Sequence, residues 1–262
     1  YDDVLRNADR LTTYRQICAQ VAREFNLIAC FMSKPFMGVS ANGCHTNVSL
    51  WKGGDLKSTP IGNNPLPGMD QVFTHVSGGE NMFMPDPKID AVKPGPVGLN
   101  SIAGLLKHLP ALTCLGSPTV NSYRRLWDTG FWAPVYADWG YQNRTCSVRV
   151  SAPGRVEYRS VDSSHNPYLM GAGILKAFED GLDNKMDPGE PEKKNIYDAM
   201  KEGKEVDKLP LTLGEAIQRL ESDDVVKSAL PEDMYRVFMH YKKDEWEKFL
   251  SAVTQWDVDT YL

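Results

Sequence analysis

The chain has 262 residues, 42% of them hydrophobic and 24% charged, with a formal net charge of -5. Such a composition excludes disorder as the default state and supplies no overall basic field for nucleic acid or an anionic membrane. No apolar run approaches the roughly 18 residues of a spanning helix, and Tyr1-Asp2-Asp3-Val4 does not resemble a signal peptide. The expected location is therefore cytoplasmic, with neither nucleic acid nor membrane as partner.

Five scattered cysteines, Cys18, Cys30, Cys44, Cys114 and Cys146, form no CxxC pair, which argues for reduced, mostly buried thiols over a disulfide framework. The chain opens at a tyrosine among charged residues, so a segment upstream is expected.

From Leu11, apolar residues recur at Tyr14, Cys18, Val21 and Phe25, the spacing of an amphipathic helix that packs one face on a core. Leu27 to Met32 reads as a short buried strand, followed by Lys34-Pro35 and a loop through Gly38 and Gly43. The run from His45 to Trp51 alternates if extended, with His45, Asn47 and Ser49 on one face. Between Gly53 and Pro96 the turn-forming content is high, which predicts a long excursion with one hairpin around Phe73 to Met84. Asn100 or Ser101 is suited to cap a helix bearing Ile102, Leu105 and Leu106.

A loop from Pro118 to Tyr123 precedes two strands, Cys146 to Val150 and Arg155 to Arg159, which the turn Ala152-Pro153-Gly154 joins as an antiparallel hairpin. Asn166-Pro167 opens a helix from Leu169 to Leu182. Residues 183 to 210 offer no core-facing stripe and read as an exposed loop. The C-terminal part is helical, with Thr212 and Glu215 as a capping box and Pro231 opening a helix through Tyr235, Phe238, Trp246 and Phe249.

Chemistry concentrates in Arg155-Val156-Glu157-Tyr158-Arg159, where strand alternation puts two guanidinium groups and a carboxylate on one face and Val156 and Tyr158 on the other. Such a strand is either a solvated face with cross-strand ion pairs or a site in which Glu157 holds a hard cation and arginines hold phosphate or carboxylate oxygens. Arg124, Arg125, Arg144 and Arg149 lie nearby in sequence and favour the second reading. A lone histidine such as His45 is more often structural than a metal ligand, but its place after a Gly-containing loop, on a face shared with Asn47 and Ser49, changes that balance. No Walker A, GxGxxG, HExxH or GxSxG motif is present.

The segment from Lys34-Pro35 through Gly38 and Gly43 to His45, Ser49 and Leu50 resembles the ATP-binding signature of glutamine synthetases. Three more of that family's motifs follow in order: Asn121-Ser122-Tyr123-Arg124-Arg125-Leu126, Asn143-Arg144 with Arg149, and Arg155 to Arg159 with Asn166-Pro167-Tyr168-Leu169. The resemblance implies an α+β fold over residues 1–262, a curved, mainly antiparallel catalytic sheet backed by helices with a helical C-terminal part. The family's N-terminal sheet domain and its upstream metal-ligand strands are not in this sequence.

The implied reaction is ATP-dependent: glutamate is phosphorylated on its side-chain carboxylate, and ammonia or a small amine displaces the phosphate. By motif position His45 and Glu157 are the expected ligands of Mg2+ or Mn2+. Arg125 is expected to bind glutamate, Arg159 its reacting end, and Arg144 the transferring phosphoryl oxygens. Asn47, Ser49, Arg149 and Arg155 are expected at the nucleotide. The family also implies a homo-oligomeric ring, a dodecamer by analogy, completed by neighbouring subunits.

Three departures stand out. Val39-Ser40-Ala41-Asn42 replaces the family's Asp-Asn-Gly-Ser loop, and Asn47 replaces a second histidine. Trp132 stands where members carry a glutamate that receives the amine, unless the loop is displaced and Asp128 or Asp138 supplies that carboxylate. A gamma-glutamylmethylamide-type or polyamine-type ligase is compatible with Trp132, as is an inactive relative with a structural or regulatory role. A non-enzymatic anion-binding domain is a third reading. Tyr197, in Asn195-Ile196-Tyr197-Asp198, resembles the adenylylated tyrosine of some bacterial members.

Overall fold

The computed structural model describes residues 2–60, 71–77, 79–84, 93–127 and 132–262. Helix α1 (Val4–Glu24) begins well before Leu11, because the Asp3 carboxylate caps it by accepting from the amides of Leu5 and Arg6. Its apolar stripe does not pack on a core: Tyr14, Val21 and Phe25 are exposed, and only Ala8 is buried. The predicted strand from Leu27 to Met32 is likewise absent. That stretch pairs with no strand among the described residues and leaves Ile28 93% exposed. Cys30 is exposed and Cys18 and Cys44 half-buried, so only Cys114 and Cys146 are buried thiols.

Short strands β1 (Thr46–Val48) and β2 (Trp51–Lys52) divide the predicted His45 to Trp51 strand, and β3 (Asp55–Pro60), β4 (Gln71–Ser77) and β5 (Glu80–Asn81) follow. The hairpin here pairs β3 with β4, and β5 returns to β2. Helix α2 (Pro96–Gly116) starts earlier than predicted, with Gly95 as its cap and Pro96 in its first turn. Helix α3 (Val120–Trp127) occupies part of the predicted loop. Thr119 and Ser122 start it reciprocally, each main-chain amide donating to the other's hydroxyl.

Strands β6 (Trp139–Tyr141), β7 (Val148–Ala152) and β8 (Arg155–Tyr158) complete a four-stranded sheet in the order β1-β8-β7-β6. β7 and β8 form the predicted antiparallel hairpin, β1 joins β8 antiparallel, and only β6 runs parallel to its neighbour. Helix α4 (Pro167–Asp183) has the predicted Asn166 cap. Helix α5 (Ile196–Lys201) interrupts the predicted loop and anchors it, since Ile196 is fully buried and its amide donates to Thr145 Oγ1.

Helices α6 (Leu213–Glu221), α7 (Asp224–Lys227), α8 (Glu232–Ser251) and α9 (Gln255–Tyr261) make the C-terminal part. Thr212 caps α6 as predicted, but Glu215 reaches back to the Leu211 amide, one residue before the cap.

The core lies between the sheet and α2, whose residues Ile102, Leu105, Leu109, Leu112 and Leu115 are all buried. Val148, Val150, Val156 and Tyr158 meet it from the inner face of the sheet. α4 lies so close to α2 that a methyl group on Gly104 would sit 2.0 Å from the carbonyl oxygen of Ala177, and one on Gly181 2.2 Å from that of Asn100. Only hydrogen fits at either place. Gly104→Ala is expected to force the helices apart and cost about 1–3 kcal/mol, read as a lower urea midpoint with an unchanged slope.

The same helices share a buried charge cluster. His108 on α2 lies 2.6 Å by Nδ1 from Asp223 and 2.8 Å by Nε2 from Asp180, which also accepts from Lys107. With an acceptor at each nitrogen the ring holds two protons. Burial pulls the His108 pKa down, but the hydrogen bonds to Asp223 and Asp180 outweigh it and raise it above 6.5. The resulting stability is fully present below the unfolded value and is lost as pH rises through the folded one. Unfolding free energy is therefore expected to fall as pH rises above about 6.5, and urea titrations of His108→Gln should lose that slope.

Candidate functional site

Strand register assembles the site on the outer face of the sheet. Glu157 in the middle of β8 lies directly opposite Asn47 on β1 and Arg149 on β7, so the three side chains form one row across the sheet. Residues at even spacing along β8 turn inward, and Val156 and Tyr158 are buried in the core. The alternation expected of Arg155 to Arg159 is thus present.

Glu157 is only 5% exposed and its carboxylate is shared among three partners. His45 Nδ1 lies 2.9 Å from Oε1, Arg149 Nη1 donates to Oε2 at 2.8 Å, and Arg159 Nη1 approaches Oε1 at 3.4 Å. Burial would raise its pKa, but the His45 hydrogen bond and the charges of Arg159, His45 and Arg149 hold it at about 2. The carboxylate is ionised at every working pH. Gln142, held in the left-handed region at φ 51, accepts from the second Arg149 nitrogen at 2.7 Å and fixes that fork.

Around this carboxylate opens a cleft of about 620 Å3 lined by His45, Arg125, Arg144, Arg149, Glu157 and Arg159, with Lys34, Gly43, Trp132 and Ala133 on its walls. Arg125 and Arg159 are buried, and burial lowers the pKa of each. Arg159 Nη2 donates to the carbonyl oxygens of Arg144 at 2.7 Å and Trp132 at 3.4 Å, while Arg125 Nη2 reaches the Arg159 carbonyl at 3.3 Å. Among the described residues Arg125 Nη1 has no hydrogen-bond partner. Trp132 stands at φ 64 and is 52% exposed, so its indole borders the cleft without being packed away. In net terms the cleft is a cationic basin with one anion at its floor, suited to phosphate and carboxylate oxygens.

Asn47, Ser49 and Arg155 line a second cleft of about 560 Å3, between the first two strands, the β7–β8 turn, α1 and α4. There Ser151 Oγ accepts from Arg155 Nε at 3.1 Å and donates to Asn47 Oδ1 at 3.4 Å. Arg149, expected from sequence with this set, lines the first cleft instead, beside Glu157.

Arg124 does not join the cluster of arginines; it lies 5.9 Å over the ring of Phe249 on α8. Asp138 is buried away from the cleft and accepts from the Ser147 amide at 3.3 Å, while Asp128 lies outside the described residues. The Tyr197 hydroxyl donates to the carbonyl of Ala133 at 3.0 Å, and burial pushes its pKa up to about 12. Lys34 and Gln142 were assigned no role from sequence. Lys34 stands in a quoted motif, but Gln142 leaves no sequence signal: Gly140 stands opposite Arg149 in the register, and Gln142, just past β6, reaches that arginine only through its side chain.

Among the described residues no group of three or more histidine, cysteine, aspartate or glutamate side chains is placed to hold a metal. His45 and Glu157 are nevertheless a nitrogen and an ionised oxygen donor turned to one cleft. Their chemistry suits two ligands of a divalent cation, and among the described residues no third side chain of these types is grouped with them.

The family described as "Glutamine synthetase, catalytic domain" matches residues 1–80 and 60–261. Glutamine synthetase from Pyrococcus furiosus is 37% identical over 281 residues, covering 100% of this chain and 57% of its own length. That from Thermotoga maritima is 35% identical over 274 residues, covering 100% and 55%. Among solved structures, the GmaS/ADP complex superposes with a TM-score of 0.84 at 33% identity, covering 100% of this chain and 55% of the other, and GmaS without ligand with 0.81 at 33%, covering 99% and 54%. The chain spans about half the length of the curated relatives it matches. Similarity of this extent, over a sheet whose polar row carries the family's motif residues, means that the chain belongs to the glutamine synthetase family and comprises its catalytic domain.

Proposed function

We propose that the protein is an ATP-dependent ligase that forms a γ-glutamyl amide from glutamate and ammonia or a small alkylamine by way of γ-glutamyl phosphate. The observation that carries this reading is the ionised Glu157 at the floor of a cleft walled by four arginines. Such a cleft can hold two anions, the glutamate carboxylates and the nucleotide phosphates, against each other. The likeness to the GmaS/ADP complex supports a nucleotide as ligand, and the reading assigns it to the second cleft, where Asn47, Ser49 and Arg155 meet.

In this reading Arg125 holds glutamate and Arg159 its reacting end, Arg149 and Arg155 face the ATP phosphates, and Asn47 and Ser49 border the nucleotide. His45 and Glu157 hold Mg2+ or Mn2+ together with ligands from beyond this chain; the cation, when bound, neutralises charge on the phosphoryl group. An oxygen of the glutamate side chain bonds to the γ-phosphorus as ADP departs, with Arg144 beside the transferring oxygens. The amine nitrogen then bonds to the acyl carbon, phosphate leaves, and the amine's proton passes to solvent or to a base outside this chain.

The enzyme is placed in the cytoplasm, where ATP and glutamate are at hand. The reading extends to a homo-oligomeric ring, a dodecamer in the family's pattern; the apolar side chains that α1 and the following segment leave exposed, among them Tyr14, Phe25, Ile28 and Met37, are suited to an interface with another surface.

Two outcomes follow. In the full-length protein, Glu157→Gln or His45→Ala is expected to lower phosphate release from ATP and glutamate by about a hundredfold or more with far-ultraviolet circular dichroism unchanged; near-wild-type turnover in either variant removes that residue from the site.

Trp132 bears on the amine. An indole offers a π face worth about 0.5 to 2 kcal/mol to an alkylammonium but no acceptor for the protons of ammonium. The ratio of kcat/KM for methylamine to that for ammonia is therefore expected to exceed one and to fall by about tenfold in Trp132→Glu. An unchanged ratio would separate Trp132 from amine choice.

A further inference from the structure

The site depends on how two separate pieces of chain, the segment leading to His45 and helix α3 carrying Arg125, are held to each other. Asn121 joins them. Its Oδ1 accepts from the main-chain amide of Lys34 at 2.9 Å, and its Nδ2 donates to the carbonyl of the same residue at 3.0 Å. A side-chain amide here does what a paired strand would do, satisfying both main-chain polar groups of one residue in a stretch that pairs with no strand among the described residues.

The gripped segment is closed on itself. The Asn42 amide donates to the Ser33 carbonyl at 2.8 Å, Asn42 Nδ2 donates to the Met32 carbonyl, and Lys34 Nζ donates to the Val39 carbonyl across the loop. The chain leaves this closure directly into Gly43, where a methyl group would come within 3.0 Å of His45 Nε2 and 3.3 Å of Arg125 Nη2. On α3, Arg125 follows Asn121 by one helical turn and so projects from the same side. The amide and the guanidinium therefore share one rigid element, and the loop the amide holds delivers His45 to the guanidinium.

We infer that Asn121 is a positioning residue that sets the distance between the Arg125 guanidinium and the His45 loop, and so tunes glutamate binding without touching glutamate. This rests on the reading of Arg125 as the glutamate-binding arginine. Asn121 does not line the cleft, and the nucleotide set of Asn47, Ser49 and Arg155 lies on the sheet and outside its reach.

The experiment compares full-length wild type with Asn121→Ala, which loses both bonds, and Asn121→Asp, which retains only the acceptor for the Lys34 amide. In Asn121→Ala, KM for glutamate is expected to rise by about tenfold while KM for ATP stays within about twofold, and in Asn121→Asp, whose second carboxylate oxygen faces the Lys34 carbonyl where the donor stood, it is expected to rise at least as far. Hydrogen exchange of the amides in residues 33–45 should quicken by about tenfold, with β7 and β8 unchanged.

Equal rises in both KM values, or exchange that quickens throughout the chain, would make the residue merely structural and overturn the inference. Unchanged exchange in 33–45, or faster exchange there with both KM values unchanged, would overturn it as well. Exchange needs no substrate, so a wild type that turns over no glutamate with any amine would refute the ligase reading while the exchange result still reports on the clamp. If Asn121→Ala does not fold, Asn121→Asp carries the same comparison.

Discussion

A buried carboxylate is tolerable only when its charge is met, and the site is organised around meeting the charge of Glu157. Three strands supply the answer: Arg149 comes from one side, His45 precedes the strand on the other, and Arg159 directly follows the strand that carries the glutamate itself. Register and electrostatics are thereby one constraint. A slip of one residue between β7 and β8 would carry Arg149 to the inner face and leave an anion without its closest fork. The core enforces the register from below, since such a slip would also turn Val148 and Val150 outward.

Cationic side chains crowded on one face repel each other, so the scaffold beneath must be stiff. The approach of α2 and α4 through Gly104 and Gly181 gives backbone-to-backbone contact, with no side chains between to absorb movement. Pinning by His108 between Asp180 and Asp223 adds a polar tie among α2, α4 and the start of α7. The sheet rests on α2, which α4 braces from the other side of this close approach, and the site inherits that rigidity.

Much of this was legible in the sequence because two simple periods were at work. Alternation in Arg155 to Arg159 placed Glu157 with the arginines and Val156 with the core, and Asn166-Pro167 announced α4 through capping chemistry alone. Where the reading went astray, the deciding partner was not local. The stripe on α1 has helical spacing but finds no core among the described residues, and Leu27 to Met32 has the composition of a buried strand without a strand to pair with. The start of α3 was missed because Thr119 and Ser122 cap it reciprocally, a pairing hidden within what reads as a polar loop. Neither the left-handed backbone at Trp132 nor the support of Arg149 by Gln142 leaves a sequence signal, since both arise from tertiary contacts.

Arg159 carries a consequence that reaches past charge. One of its terminal nitrogens faces Glu157 while the other is fastened to the main chain of Arg144 and Trp132, residues from two different loops that flank the cleft. A guanidinium is planar and stiff, so it cannot yield to a ligand at one end while staying fixed at the other. Any anion that draws Arg159 away from Glu157 therefore pulls on both rims together. The side chain is thus a strut that ties the two loops to each other across the cleft.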